Sequence, residues 1–194
     1  SNKNLYKNEK YSKFKKKNYI LVVGTISPRK NIRRILNCYF KLDKSLKNNY
    51  NLIFLGRFNY LNYKDKKYFS WSLNQKNVYH LDFIDDSQLL FFYKNASVIF
   101  FPSIYEGFGM PIIEGFASKV PVITSNFGAS SEIGSNGTFN INPFSEKSMS
   151  DGLFEVLKND SLRKTLVSND KKLLKNFSKK EFIKRTNKVY NSLT

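Results

Sequence analysis

The sequence predicts an α/β fold: a Rossmann-like, three-layer α/β/α domain built around a parallel sheet. Two short apolar runs, residues 19–24 and 51–56, each end in glycine, which is the pattern of a buried parallel strand that leads into a turn. Apolar side chains at helical spacing follow the first run, at Ile32, Ile35 and Leu36. Strands that alternate with helices through short connections pack as a parallel sheet with helices on both faces.

The rest of the chain repeats this alternation. A basic and aromatic stretch that extends to Trp71 is predicted to be helical in part, and Asp85 lies where it can cap a further helix. A loop and a helix follow the fourth strand, and further helices are expected from about Ser145 and from about Ser161 to the end. The remaining strands are predicted at residues 78–81, 97–101, 120–124 and 138–141.

The composition describes a globular chain. Of its 194 residues, 41% are apolar and 25% are charged, which provides enough apolar surface for one domain with a core. No apolar run reaches the roughly 18 residues that a transmembrane helix needs, and the start of the chain lacks the apolar segment of a signal peptide. A cytoplasmic location is therefore expected, with the inner face of the membrane as a further option. Cys38 and His80, each the single residue of its kind, are interpreted as structural.

The formal net charge of +18 at pH 7 is compatible with three classes of partner: nucleic acid, an anionic membrane surface or an anionic small ligand. Lysine and asparagine are abundant throughout, so part of this charge reflects overall composition. Lysine clusters at residues 13–17 and 64–67 have aromatic neighbours, a combination that suits a lipid interface or single-stranded nucleic acid. No nucleic-acid motif accompanies them, so nucleic acid is not the expected partner, and peripheral membrane contact remains open.

The residues that carry chemistry should follow the strands, because ligands of open α/β sheets bind at the carboxyl ends of the strands. After the first strand, Gly24 begins a loop in which Arg29 and Lys30 stand beside a helix start. Two cations near the positive end of a helix can hold a diphosphate, although such a pair is also ordinary surface in a lysine-rich chain. Neither a GxGxxG motif nor a P-loop is present, which argues against a dinucleotide dehydrogenase or a nucleotide hydrolase.

A second loop follows the fourth strand, in the segment 102–118. Gly107 and Gly109 allow the backbone to approach a ligand closely, and Pro111 suits the first turn of a helix. Glu106 in the loop and Glu114 in the helix place two carboxylates where they can bind neighbouring hydroxyls of a ribose or a hexose. The alternative is that Glu106 only caps the turn and Glu114 only complements the helix dipole.

At this loop the sequence resembles the donor domain of the large retaining glycosyltransferase family called family 4, or group 1, which has the GT-B architecture. The family's Glu-x7-Glu signature matches Glu106 and Glu114, and residues 24–31 resemble its diphosphate loop. Residues 120–125, Glu132 and the pair 142–143 resemble later landmarks, so the matches extend in order over residues 19–177. Thr25 departs from the pattern, because many relatives have an arginine there.

The resemblance implies a glycosyltransferase that moves a hexosyl group from a nucleotide-diphosphate sugar (GDP-, UDP- or dTDP-linked) to a saccharide or a lipid-linked acceptor, in cell-surface polysaccharide or lipopolysaccharide synthesis. It implies no metal and no cofactor besides the donor. The residues that it places in catalysis are Glu106, Arg29 and Lys30. Those that it places against the substrate are Gly24, Thr25, Phe83, Ile84, Ser103, Gly107, Phe108, Gly109, Met110, Pro111 and Glu114, with the 83–84 pair near the base.

The resemblance also divides the chain, as the C-terminal half of a GT-B fold. Residues 1–18 are expected to be an interdomain linker, residues 19–177 the nucleotide-sugar-binding domain, and residues 178–194 a helix that packs on a preceding acceptor-binding domain. Without that domain, we expect weak nucleotide binding and poor turnover. Two rival interpretations are a non-enzymatic basic module and a sugar-nucleotide epimerase, the second of which fits the fold but not the Glu-Gly-Phe-Gly loop.

Overall fold

A computed structural model describes residues 11, 14, 15, 17–82 and 84–192, apart from the side chains of residues 170–172. Phe83, predicted to lie near the base, is outside the described residues. All strand pairs of the described sheet are parallel, as the sequence predicted. Its six strands are β1 (Asn18–Val23), β2 (Tyr50–Leu55), β3 (Val78–Leu81), β4 (Val98–Phe101), β5 (Val122–Ser125) and β6 (Thr138–Ile141).

The strand order is β3-β2-β1-β4-β5-β6. The order reverses between β1 and β4, which pair side by side although β2 and β3 lie between them in the chain. At such a reversal the connections from neighbouring strands leave toward opposite faces and open a crevice at the carboxyl ends of the strands. The loops that follow β1 and β4, which carry the predicted site residues, therefore border this crevice.

Helices cover both faces of the sheet. The helices are α1 (Ile32–Lys41), α2 (Lys44–Asn49), α3 (Tyr63–Leu73), α4 (Asp86–Asn95), α5 (Met110–Ser118), α6 (Gly128–Gly134), α7 (Glu146–Lys158), α8 (Asp160–Leu174) and α9 (Lys179–Asn191). Short 3-10 turns occupy Pro28–Lys30, Ser135–Gly137 and Lys175–Phe177. Together the layers form the predicted three-layer α/β/α architecture.

Two apolar cores lie on the opposite faces of the sheet, and β1 contributes to both. Ile20 and Val22 face the core beneath α1 and α7, whereas Leu21 and Val23 face the core beneath α4 and α5. Successive strand residues point to opposite faces, so a strand covered on both sides is apolar at every position. This explains the uninterrupted apolar runs in the sequence.

The short helices were missed by the sequence analysis. The six residues of α2 are held by Asp43, whose side chain accepts a hydrogen bond of 2.7 Å from the Leu46 amide. α6 contains two glycines and is only seven residues long, so it has no apolar periodicity to detect. The predicted C-terminal helices are interrupted before α9, where the Ser178 side chain caps a new helix.

Candidate functional site

The loop after β1 folds back on Gly24. Gly24 has φ of 120°, a conformation that favours glycine, and the 3-10 turn at Pro28–Lys30 directs the Lys30 side chain back across it. A Cβ atom at position 24 would lie 2.7 Å from Lys30 Cε. The glycine therefore provides the space in which the Lys30 ammonium is held, and only 6% of Lys30 is exposed.

The loop after β2 supports this conformation from one side. The Ile26 amide donates to the Arg57 carbonyl at 2.9 Å, and the Asn59 amide donates to the Ile26 carbonyl at 3.2 Å. Gly56, with φ of 145°, packs directly against the Gly24 carbonyl. The two loops thus form one hydrogen-bonded layer at the carboxyl edge of the sheet.

Glu106, in the loop after β4, pairs with both cations of the first loop. Arg29 Nη1 lies 2.7 Å from one of its carboxylate oxygens, and Lys30 Nζ lies 2.7 Å from the other. The Ile104 amide also donates to the Arg29 carbonyl at 2.8 Å, which joins the two loops through the backbone. The Glu106 side chain is 10% exposed and that of Arg29 is 47% exposed, so the cluster is buried on one side and open on the other.

The charges of this cluster are set by burial and pairing together. Burial raises the pKa of Glu106, but the close pairing with Lys30 and Arg29 outweighs it and holds this pKa below its usual value. Burial lowers the pKa of Lys30, while the Glu106 carboxylate opposes that shift. The ammonium also lies 4.2 Å from the centre of the Phe101 ring, a favourable cation–π contact. Glu106 is therefore ionised at neutral pH, and its charge balances one of the two cations.

The segment after Glu106 presents backbone to the open side. Gly109 adopts φ of 111° at the N-terminal cap of α5, and Pro111 occupies the first turn, as the sequence predicted. A Cβ atom on Gly107 would meet no atom within 4 Å among the described residues. Phe108 and Met110 are exposed beside it. The start of α5 therefore follows Glu106 closely in the chain, and the backbone at Gly107 is open to an incoming ligand.

Glu114 is held in place by Tyr93 of α4, whose hydroxyl donates to Glu114 Oε2 at 2.5 Å. Burial, strengthened by this carboxylate, raises the pKa of Tyr93, so its hydroxyl keeps its proton. Glu114 is half-buried, and its charge raises the pKa of Lys30. Both carboxylates of the Glu-x7-Glu signature therefore act electrostatically on the same ammonium group.

The other predicted contact residues lie at different depths. Thr25 is half-buried next to Gly24, and Ser103 is buried beside Glu106. Ile84 packs partly against the core beneath α4 and α5. Ser27, which the sequence analysis did not select, has a buried hydroxyl with no hydrogen-bond partner among the described residues.

Asn31 is the most important structural residue that the sequence analysis missed. It has φ of 64°, and its side-chain amide donates to the carbonyls of Pro102 at 3.1 Å and Pro143 at 2.7 Å. It therefore joins the loops that follow β1, β4 and β6. Asparagine adopts this left-handed conformation more readily than most residues. An asparagine directly after Lys30 was therefore the one feature of the sequence that could have indicated this turn.

We expect Asn31→Gly to lower the free energy of unfolding by about 2 kcal/mol. The variant keeps the backbone conformation but loses the two buried bonds to backbone carbonyls, the weak contact with Met149 Sδ and the bond that Asn31 accepts from Arg34. Asn77→Gly is the matched control: Asn77 has φ of 71° and makes one half-buried amide bond of 2.9 Å, to the Lys47 carbonyl. Urea unfolding followed by circular dichroism measures the free energy of unfolding of both variants. Equal losses in the two variants would contradict the role assigned to Asn31.

The described residues contain no group of three or more His, Cys, Asp or Glu side chains placed to hold a metal ion. Among the described helices, none has the length and apolarity required to cross a bilayer.

Comparison with known proteins decides the family. The family model described as "Glycosyl transferases group 1" matches residues 6–173, most of the chain. The chain belongs to this family. The resemblance inferred from the two loops is thereby confirmed, and both loops lie inside the matched segment.

Curated relatives include glycosyltransferases of bacterial surface polysaccharides. The chain is 30% identical over 180 residues to "O-antigen chain mannosyltransferase B" of Escherichia coli, a match that covers 90% of this chain and 46% of that protein. It is 36% identical over 143 residues to "O-antigen chain mannosyltransferase RfbU" of Salmonella typhimurium, covering 73% and 39%. The chain therefore spans less than half the length of these two relatives.

Solved structures confirm the fold class. The C-terminal domain of the group 1 glycosyl transferase LpcC from Francisella tularensis superposes with a TM-score of 0.69 at 23% identity, covering 81% of this chain and 85% of that domain. This group 1 chain thus has the fold of the C-terminal half of a GT-B enzyme.

Proposed function

We propose that this chain is the donor-binding half of a retaining glycosyltransferase, which transfers a hexosyl group from a nucleotide-diphosphate sugar to a saccharide or lipid-linked acceptor in cell-surface polysaccharide synthesis. The observation that carries the proposal is the convergence of Arg29 and Lys30 on Glu106, at the reversal of strand order. Relatives named as O-antigen mannosyltransferases support the acceptor class and favour a mannosyl donor, for which GDP is our first choice of nucleotide.

The cation cluster suits the leaving group of such a reaction. When the bond between the anomeric carbon and the β-phosphate oxygen breaks, the electron pair remains on the diphosphate. Lys30 and Arg29, with the N–H groups at the start of α5, would stabilise that developing charge. Preorganised donors in a site that excludes water lower such a barrier more than water can. The acceptor hydroxyl then bonds to the anomeric carbon on the face that the diphosphate left, and its proton passes to the released phosphate.

The two carboxylates would bind the organic parts of the donor. Glu114, oriented by Tyr93, would accept hydrogen bonds from the ribose hydroxyls, and Glu106 would lie against the transferred sugar. Thr25, Ser103 and the backbone of Gly107 to Pro111 would complete the pocket, and Phe83 and Ile84 would border the base. The proposal needs no metal, since the fixed cations supply the positive charge.

A preceding acceptor-binding domain completes the proposed enzyme. The chain covers 46% and 39% of its two relatives, which leaves length for a second domain of similar size. Its docking surface would include α9, where Phe182, Ile183, Val189 and Tyr190 are exposed. The chain by itself is accordingly expected to bind nucleotide weakly and to transfer sugar poorly.

Calorimetric titration of the chain with GDP, UDP and dTDP tests the proposal. If the site binds a donor, we expect the chain to bind one nucleoside diphosphate in preference to the others, and Glu114→Gln should abolish this binding. Binding to every polyanion alike, with steep salt dependence and no response to Glu114→Gln, would favour a basic module instead. Retention is tested separately with the full-length polypeptide, by nuclear magnetic resonance of the anomeric configuration of the product.

We expect Glu106→Gln to tighten the binding of the free nucleoside diphosphate about 3- to 10-fold, an estimate from the electrostatics of near-surface pairs. The variant removes the carboxylate that neutralises Lys30 and Arg29, so the phosphates meet a larger positive charge. Transfer by the full-length Glu106→Gln enzyme should fall, since the contact with the sugar is altered. The control is Glu146→Gln, because Glu146 pairs with Lys41 outside the site. Unchanged diphosphate affinity in the Glu106→Gln variant would contradict the expectation.

A further inference from the structure

Helix α3 exposes a basic and aromatic surface that the proposed donor site does not use. Tyr63, Lys67 and Trp71 follow one another at intervals of four residues, and Lys64 lies beside them. At about 100° per residue these four side chains fall within roughly 100° of the helix circumference. Tyr63 is 79% exposed and Trp71 is 47% exposed, while both lysines are exposed. We call these four residues the α3 outer face.

The opposite side of α3 is anchored in the protein. Phe69 and Ser72 are buried beneath the helix. The Trp71 ring stacks on Tyr68, with centroids 5.5 Å apart and planes 9° apart, and it contacts Phe40 at 5.2 Å. Trp71 is therefore held with part of its ring fixed at the surface, at little further cost in side-chain entropy on binding.

The outer face is cationic as well as aromatic. α3 contains a single carboxylate, Asp65, which is paired with Arg33 of α1. The one carboxylate of α3 is therefore already paired, and no other acidic residue of this helix offsets the charges of Lys64 and Lys67. A surface of this kind attracts an anionic partner and can insert aromatic edges into it.

The α3 outer face continues toward the proposed donor site. The loop between β2 and α3 exposes Phe58 and Tyr60. This loop is bonded through Arg57 and Asn59 to Ile26, in the loop that carries the cation cluster. The N-terminal end of the α3 outer face therefore adjoins the layer of loops at the carboxyl edge of the sheet.

We propose that the α3 outer face docks on the surface of an anionic lipid bilayer. Tyrosine and tryptophan are enriched at the depth of the lipid headgroups, and lysines near an anionic leaflet are attracted to it. A membrane is favoured over nucleic acid because Tyr68 already covers one face of the Trp71 ring, which leaves less of it for stacking with a base. This docking rests on the proposed function only for its purpose, which is to bring the donor site to a lipid-linked acceptor.

The test is co-sedimentation of the chain with vesicles that contain phosphatidylglycerol and phosphatidylcholine, compared with vesicles of phosphatidylcholine alone. We expect binding only to the anionic vesicles. The double substitution Lys64→Gln/Lys67→Gln should reduce the partition coefficient about 10- to 30-fold at low salt. Tyr63→Ser, added to this double variant, should reduce the partition coefficient further without altering the charge. The control, Lys94→Gln/Lys164→Gln, removes the same charge from exposed positions in α4 and α8 and should bind nearly as the parent does.

Three results would overturn the proposal. The first is an equal loss in the control double variant, which would assign binding to net charge alone. The second is a loss on Phe182→Ser/Tyr190→Ser with no loss in the α3 variants, which would assign it to α9. The third is tighter binding to single-stranded DNA than to anionic vesicles, weakened by the same α3 substitutions. Nucleoside diphosphate binding should be unchanged in all α3 variants, so a failure here is distinguishable from a failure of the proposed function.

Discussion

Replacement of Lys30 by methionine is expected to weaken nucleoside diphosphate binding about 10- to 100-fold, the loss of one or two charge-assisted hydrogen bonds. Methionine keeps the unbranched stem that passes Gly24 and lies near Phe101, so the loop should retain its shape. Glu106 would keep its pair with Arg29, which leaves the site with no net positive charge from these three residues. Calorimetric titration with the best-bound nucleoside diphosphate measures the effect.

Two further variants make the Lys30 result specific. Lys41→Met removes an exposed lysine that pairs with Glu146 outside the site, and it should bind as the parent chain does. Lys30→Arg keeps the charge but places a larger, planar group in the narrow space beside Gly24, so it should restore binding only in part. Parent-like affinity in Lys30→Met would show that the diphosphate is bound elsewhere.

Gly56→Ala should give the largest loss of stability among single methyl additions near the site, about 2–4 kcal/mol in the free energy of unfolding. Its Cβ atom would clash with the Gly24 carbonyl oxygen, a backbone atom that cannot move aside without shifting the loop that carries Lys30. The added strain of φ at 145° increases the loss. Urea unfolding followed by circular dichroism provides the measurement.

Gly128→Ala separates the clash from the backbone strain. Gly128 also has a positive φ, 63°, but a Cβ atom there would meet no atom within 4 Å among the described residues. The expected loss is only about 1–2 kcal/mol, the ordinary cost of a left-handed conformation for alanine. If Gly56→Ala were no more destabilising than Gly128→Ala, the close packing of the two loops would be in doubt.

The sequence by itself predicted the strands and the longer helices, and it placed most of the candidate site residues in the loops that follow β1 and β4. Apolar runs that end in glycine identified the strands because a strand buried on both faces must be apolar at every position, a local property that can be read without the fold. Arg29, Lys30, Glu106 and Glu114 were identified by their spacing within two loops. The family that this spacing implied is the one whose model matches residues 6–173.

The tertiary structure alone decided how those residues meet. Glu106 pairs with Arg29 and Lys30 only because β4 lies beside β1, and strand order depends on contacts between segments far apart in the chain. The hydrogen bond from the Tyr93 hydroxyl to Glu114 also depends on the tertiary structure, because the placement of α4 and α5 brings these two side chains together. Asn31, which joins three loops, was not selected at all, because a side chain that bridges distant carbonyls leaves no periodic trace in its own segment.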